Sequence, residues 1–306
     1  MTYNQLCSRL APLCGADEAR AIVRTVLDTA FGLSLADICC GKVTQLSADE
    51  AKRLEKIMQR LEKSEPVQYV LGEALFKGRR FGVRPGVLIP RPETEGLVDW
   101  ALEGVAPSAD NDADGGADGA ACAAPNGGVP SPAARCPSIL DIGTGSGCIA
   151  ITLALERPEA EVTAWDLSAD ALAIARGNAS RLGAAVRFER QDALRAPDDR
   201  GRWDTVVSNP PYIRRCERTE MEANVLDHEP DMALFVPDGD PLLFYRAIAL
   251  YAAKALRPGG RLLFETNTAF AQDVASLLTR CGFTDVEVRD DCFGKPRMAG
   301  GKKREK

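Results

Sequence analysis

The chain has 306 residues, enough for one large domain and a small one, and its 45% share of hydrophobic residues is ordinary for a globular protein. The formal net charge of −6 argues against a broad, sequence-blind grip on nucleic-acid phosphates, which proteins make with clustered basic side chains. No stretch reaches the roughly 20 apolar residues of a membrane span, so we expect a soluble protein without membrane contacts.

Histidine and cysteine residues show no pattern of a metal site. His228 is the single histidine, which disfavours histidine-based catalysis and multi-histidine metal sites. The ten cysteines are scattered and never show C-x-x-C spacing. We therefore predict no metal site, and reduced thiols in a cytoplasmic protein.

The first part of the chain has the periodicity of a small helical bundle. Leu6 and Leu10 recur at helical spacing. Ser47, with Glu50 three residues later, has the pattern of a capping box, which marks the start of a helix. We predict a helical domain over residues 1–64.

The remaining boundaries follow from shifts in composition. Glycines and prolines interrupt short β-like runs over residues 65–92, which predicts a hairpin-containing connector before the main domain at residues 93–297. Residues 106–134 hold too few large apolar side chains to offset the entropy of ordering, so we predict a disordered insertion there. We interpret residues 298–306 as a basic tail.

Strands and helices alternate after Cys136. Apolar strand-like runs at 138–142, 161–165, 186–189 and 204–208 are separated by helical segments, and the pattern continues to the end of the domain. This alternation predicts an α/β fold with a doubly wound, mainly parallel, Rossmann-like sheet. Ligands bind such sheets at the carboxyl ends of the strands.

A glycine-rich loop follows the first of these strands. Glycines at alternate positions let the backbone turn tightly and approach a ligand. The preceding Asp141 would repel a pyrophosphate, and the G-x-G-x-G spacing differs from the G-x-G-x-x-G of dinucleotide-binding proteins. Both features disfavour a dinucleotide, and Asp141 suits the cationic methionine end of S-adenosylmethionine. The predicted cofactor-binding residues of the loop are Gly143, Thr144, Gly145, Ser146 and Gly147.

Two acidic residues end the next two strands. Asp166 ends the second strand, where a carboxylate usually binds ribose hydroxyls. Asp192 follows the third strand, where a carboxylate could accept the adenine amino group. Because these positions fall on adjacent strand ends, we predict that both residues bind the cofactor with the glycine loop.

The tetrapeptide Asn209-Pro210-Pro211-Tyr212 follows the fourth strand directly. The prolines fix φ and remove two backbone donors, so the Pro210 carbonyl is held rigidly. A planar NH2 group can donate one hydrogen to that carbonyl and one to the Asn209 side-chain oxygen, while Tyr212 stacks on its flat face. We predict catalytic roles for Asn209, Pro210 and Tyr212, substrate binding by all four residues, and a cofactor contact from Asn209.

Longer motifs extend these features over nearly the whole chain. They lie at residues 65–72, 87–95, 141–147, 208–213, 229–230 and 258–260. With them the chain resembles the HemK/PrmC family, the release factor glutamine methyltransferases. The chain departs from the family pattern at residues 265–267, where Glu-Thr-Asn stands instead of the usual Glu-Ile-Gly. The insertion at 106–134 is also unlike the family, but it falls in a connection, so we expect it to leave the sites intact.

The resemblance implies a seven-stranded class I methyltransferase domain that uses S-adenosylmethionine. It implies that the substrate is the side-chain amide of the glutamine in the Gly-Gly-Gln motif of bacterial-type class I peptide chain release factors. It also implies that the helical domain docks the release factor and that residues 91–95 lie near the active site.

Two alternatives stay open. Adenine and other nucleic-acid amino-group methyltransferases use a related Asp-Pro-Pro-Tyr tetrapeptide, but Asn209 in place of Asp and the acidic charge balance favour a protein substrate over a nucleic acid. A non-catalytic scaffold with the same fold is the second alternative. The intact Gly143, Asp166 and Asn209 disfavour it.

Overall fold

The computed structural model describes residues 1–103, 135–221 and 223–305. The predicted insertion at 106–134 lies outside the described residues. Among the described helices, none is both long enough and apolar enough to cross a membrane.

The chain begins with a helical bundle. Its helices are α1 (Tyr3–Cys14), α2 (Ala16–Phe31), α3 (Leu35–Cys39), α4 (Ala48–Leu61) and α5 (Val67–Leu71). The predicted capping box is confirmed, since the Ser47 hydroxyl accepts the Glu50 backbone N–H and the Glu50 carboxylate accepts the Ser47 N–H. Helix α5 lies beyond the predicted boundary at residue 64, yet its Val70 packs into the same apolar core, so the bundle continues to Leu71.

An antiparallel hairpin connects the bundle to the main domain. Strands β1 (Glu73–Phe76) and β2 (Arg79–Gly82) pair across a two-residue turn at Lys77 and Gly78, both of which have positive φ. Such turns match the twist of the two strands. The hairpin lies within the predicted connector at residues 65–92, and helix α6 (Pro92–Glu103) follows it.

The main domain is built on a seven-stranded sheet, as predicted. Its first four strands are β3 (Ser138–Ile142), β4 (Glu161–Asp166), β5 (Val186–Arg190) and β6 (Trp203–Ser208). A separate short pair follows, β7 (Ile213–Arg214) with β8 (Phe235–Val236). The sheet is completed by β9 (Leu256–Glu265), β10 (Phe283–Asp290) and β11 (Pro296–Lys303). The strand order is β10-β11-β9-β6-β3-β4-β5, with β11 antiparallel to both of its neighbours.

The further helices, in chain order, are α7 (Cys148–Glu156), α8 (Ala169–Leu182), α9 (Ala223–His228), α10 (Asp231–Leu234), α11 (Leu243–Ala255) and α12 (Ala271–Arg280). Helices α6 and α7 pack on one face of the sheet, and α11 and α12 pack on the other. Neighbouring residues of β3 point to opposite faces. Ile139 packs in the core that includes α6 and α7, and Leu140 packs in the core that includes α11 and α12. The predicted doubly wound α/β fold is confirmed.

The prediction of a basic tail at 298–306 is wrong for residues 298–303. These residues form most of β11, and Met298 and Ala299 are buried. The strand is hard to recognise because it contains Gly300 and Gly301. A Cβ on Gly300 would lie only 2.7 Å from the Trp100 side chain, so close packing excludes the larger apolar residues that normally mark a strand.

Candidate active site

The candidate site lies where the strand order of the sheet reverses. Strand β3 pairs in parallel with β4 on one side and with β6 on the other. At the carboxyl ends, Ile142 of β3 lies beside Ser208 of β6, and the Ser208 hydroxyl donates to the Ile142 carbonyl at 2.7 Å. Open α/β sheets bind ligands at this kind of switch point. The glycine loop and the Asn-Pro-Pro-Tyr segment start from these two strand ends.

The glycine loop is tied to the neighbouring strand β4. The backbone N–H groups of Gly143 and Thr144 both donate to the Trp165 carbonyl, at 2.9 Å each. Gly143, Gly145 and Gly147 all have φ in the left-handed region, which favours glycine. The loop therefore has the tightly turned backbone that the alternating glycines predict, without side chains at these three positions to keep a ligand away.

Asp166 is held by backbone donors beside this loop. One carboxylate oxygen accepts the Gly145 N–H at 2.9 Å and the other accepts the Ser168 N–H at 2.8 Å. Burial raises the pKa of Asp166, and its backbone hydrogen bonds oppose that shift. Each oxygen keeps further acceptor capacity, as a ribose contact would require.

Asp192 lies at the end of the next strand. The Gln191 N–H donates to the Asp166 carbonyl at 3.0 Å, so the two strand ends are adjacent. The Asp192 side chain accepts the Leu194 N–H at 2.9 Å. The ends of three neighbouring strands, β3, β4 and β5, therefore carry the glycine loop, Asp166 and Asp192. The contacts of these residues with a cofactor stay predictions.

Asp141 lies at the base of the loop and is completely buried. One oxygen accepts the Thr144 hydroxyl at 2.7 Å, whereas Oδ1 has no hydrogen-bond partner among the described residues. Burial raises the pKa of this carboxyl to about 7. A buried carboxylate with an unpaired oxygen is stabilised by a cation, so this position fits the positively charged end of S-adenosylmethionine.

The Asn-Pro-Pro-Tyr segment runs past the glycine loop. A Cβ built on Gly143 would lie 3.9 Å from the Asn209 carbonyl oxygen, so the two backbones are close neighbours. The Asn209 amide donates from Nδ2 to the Thr94 hydroxyl at 3.3 Å. Its oxygen, Oδ1, is buried and unpaired within the described part of the chain. The acceptor predicted to receive a substrate N–H is therefore not used by the protein itself.

Glu265 is a site residue that the sequence motifs did not predict. It ends β9 with 1% of its surface exposed. Its Oε2 accepts the Thr94 hydroxyl at 2.6 Å and its Oε1 accepts the Tyr212 hydroxyl at 3.1 Å. Burial raises the pKa of the Glu265 carboxyl and also that of Tyr212. An acidic residue at the end of an apolar strand was the available signal, because ligands bind at that edge of the sheet.

The motif before α6 reaches the site through two connections. Thr94, in the first turn of α6, contacts Asn209 and Glu265, so the predicted proximity of residues 91–95 holds for this residue. Arg91 donates to the buried Glu229, which also accepts the Ile89 N–H at 3.1 Å. The motif is thereby joined to the segment that follows the tetrapeptide.

Two family models match this chain. The PrmC N-terminal domain matches residues 3–72, a range that ends just after α5, and the methyltransferase small domain matches residues 131–231.

Three relatives are similar over most of their length, and each is a release factor glutamine methyltransferase. The protein of Bacteroides thetaiotaomicron is 47% identical over 283 residues, which are 92% of this chain and 92% of the relative. The protein of Flavobacterium psychrophilum is 35% identical over 96% of this chain and 95% of its own length. The protein of Chlorobaculum tepidum is 40% identical over 90% and 87%, respectively.

Proposed function

We propose, because this chain belongs to the release factor glutamine methyltransferase family, that it transfers a methyl group from S-adenosylmethionine to a glutamine side-chain amide in a release factor. The glutamine is that of the Gly-Gly-Gln motif in bacterial-type class I factors. One observation carries the proposal. The glycine loop and Asn209 extend from the paired ends of β3 and β6, so the proposed cofactor site and the proposed amide-binding site would be neighbours.

The cofactor would be held by residues of three strand ends. The alternating glycines of the loop allow backbone contact, Asp166 offers acceptors to ribose hydroxyls, and Asp192 offers one to the adenine amino group. Asp141 would stabilise positive charge near the loop. When bound, S-adenosylmethionine supplies a methyl group activated by its sulfonium.

Asn209 and Pro210 would orient the substrate amide. An amide nitrogen is a poor nucleophile because its lone pair is delocalised into the carbonyl. Two acceptors, Asn209 Oδ1 and the Pro210 carbonyl, can take both hydrogens of the NH2 group and fix its plane. Positioning of this kind lowers the barrier without a metal ligand or a histidine base from the protein. Tyr212 would pack on the flat face of the amide.

The body of the release factor would dock in a groove between the helical bundle and the hairpin. This groove has a volume of about 590 Å³ and reaches Pro90 and Pro92, next to the motif that contacts the site. Leu35 and Leu75, 52% and 68% exposed, offer apolar surface there. These two side chains could pack against apolar side chains of the release factor. A translation factor as substrate would also place the enzyme in the cytoplasm.

The direct test is incubation of the protein with a release factor and labelled S-adenosylmethionine, followed by mass spectrometry of the peptides. We expect one methyl group on the motif glutamine, and none when that glutamine is replaced. Asn209→Ala should abolish transfer while cofactor affinity stays nearly unchanged, because Asn209 mainly orients the amide. Label in DNA and none in the release factor would overturn the proposal in favour of a nucleic-acid methyltransferase.

A further inference from the structure

We infer that Glu265 and Thr94 are positioning residues that fix the Asn209 side-chain amide with its oxygen reserved for the substrate. The inference rests on the proposed function and extends it. Neither residue would touch the reacting atoms. Their effect passes through Asn209 and Tyr212, whose side chains they contact.

The orientation follows from counting protons along the hydrogen-bond chain. The Thr94 hydroxyl has a single proton and donates it to Glu265 Oε2 at 2.6 Å. The Thr94 oxygen can then only accept from Asn209, which requires the NH2 group on that side. If the Asn209 amide were rotated by 180°, its oxygen would face the Thr94 oxygen with no proton between the two. Asn209 Oδ1 is therefore left as the unpaired acceptor.

The same carboxylate also fixes the other end of the tetrapeptide. Glu265 Oε1 accepts the Tyr212 hydroxyl, so one side chain controls both the orienting amide and the stacking ring. Glu265 is itself held by its place in the sheet, where β9 runs between β6 and β11. Burying a carboxylate is unfavourable unless its oxygens are hydrogen-bonded, and here the two hydroxyls meet that need.

The sharpest test replaces Thr94 by Val, which keeps the shape of the side chain and removes its hydroxyl. Without this link the Asn209 amide can rotate, so we expect kcat for release factor methylation to fall about 10- to 100-fold. The KM for the release factor and the affinity for S-adenosylmethionine should change little. Thr94→Ser retains the hydroxyl and should restore most of the lost turnover.

Thr152→Val is the matched control. Thr152 is fully buried in α7, and its hydroxyl has no hydrogen-bond partner among the described residues. The same chemical change there should leave kcat as in the unmodified protein. Melting temperatures of all variants separate a loss of folding from a loss of positioning.

A second variant, Glu265→Gln, keeps the inference testable if Thr94→Val fails to fold. An amide can accept only at its oxygen, so either the Thr94 or the Tyr212 hydroxyl loses its acceptor and kcat should fall. Unchanged kcat in a folded Thr94→Val or Glu265→Gln protein would overturn the inference. An inactive unmodified protein would instead refute the proposed function, so the two failures are distinguishable.

Discussion

The buried carboxyl of Asp141 makes a single residue sensitive to pH. Burial raises the pKa of Asp141 from an ordinary 3.8 to about 7. Between these two pH values the carboxyl is protonated in the folded protein and ionised in the unfolded chain. The contribution of Asp141 to the free energy of unfolding therefore decreases as pH rises from about 4 to about 7. A bound cation has the opposite preference, because it favours the ionised carboxylate.

We predict that the affinity for S-adenosylmethionine rises as pH increases through about 7, where Asp141 ionises. Calorimetric titration at a series of pH values measures the effect. In Asp141→Asn the side chain cannot ionise, so affinity should be lower at alkaline pH and the dependence should flatten. An identical pH profile in both proteins would show that Asp141 does not sense the cofactor charge.

Single residues differ in how far the sequence reveals them. The glycines of the loop and the residues of the tetrapeptide are contiguous, so their pattern predicts a local geometry that the structure contains. The link from Thr94 to Glu265 joins residues 171 positions apart, and only the packing of α6 against the end of β9 brings them together. No local pattern could reveal that contact.

At the scale of elements, Gly147 joins the glycine loop to α7. It precedes the helix with φ of 84°, and a Cβ there would lie 2.7 Å from Ile151 and 3.1 Å from Ala175. The close approach packs the start of α7 against α8. The geometry of the loop and the packing of α7 against α8 thus both depend on the absence of a Cβ at Gly147.

Gly147→Ala should lower the free energy of unfolding by about 1–3 kcal/mol, through backbone strain and overpacking. Cofactor affinity should fall with it, because the loop must shift. Urea denaturation and titration with S-adenosylmethionine measure the two effects. Gly177→Ala in α8 is the control, since a Cβ there meets open space, and it should gain up to about 1 kcal/mol. Equal effects at the two glycines would contradict this account.

The strands show why element prediction succeeds in the interior of the sheet and fails at β11. Strand β3 is buried along its whole length and is apolar enough to be recognised from its sequence. In β11, Gly300 and Gly301 leave room for Trp100 and for the side chains of β9 and β10, so its sequence lacks the usual signal. Tertiary packing determines that strand, and local propensity does not.

For the molecule as a whole, the helical bundle could be predicted from the sequence, whereas the groove beside it could not. The groove proposed for the release factor is formed jointly by α2, α5, the hairpin, Pro90 and the first residue of α6, Pro92. These segments are separated along the chain, and only their packing creates a concave surface. The groove reaches Pro92, two residues before Thr94, so a factor docked there would lie near the chain segment that contacts Asn209.

Leu75→Asp tests whether this groove binds the body of the release factor. Leu75 is 68% exposed, so the change should spare folding while placing a charge on the apolar surface. We expect KM for the intact release factor to rise about tenfold or more, as for loss of an apolar interface contact. Methylation of a short Gly-Gly-Gln peptide should be unaffected, because the peptide reaches the tetrapeptide without filling the groove. Leu250→Asp on α11, at a residue 55% exposed, is the matched control and should change neither reaction. Equal losses with peptide and intact factor would place the effect of Leu75 in the active site and refute docking in the groove.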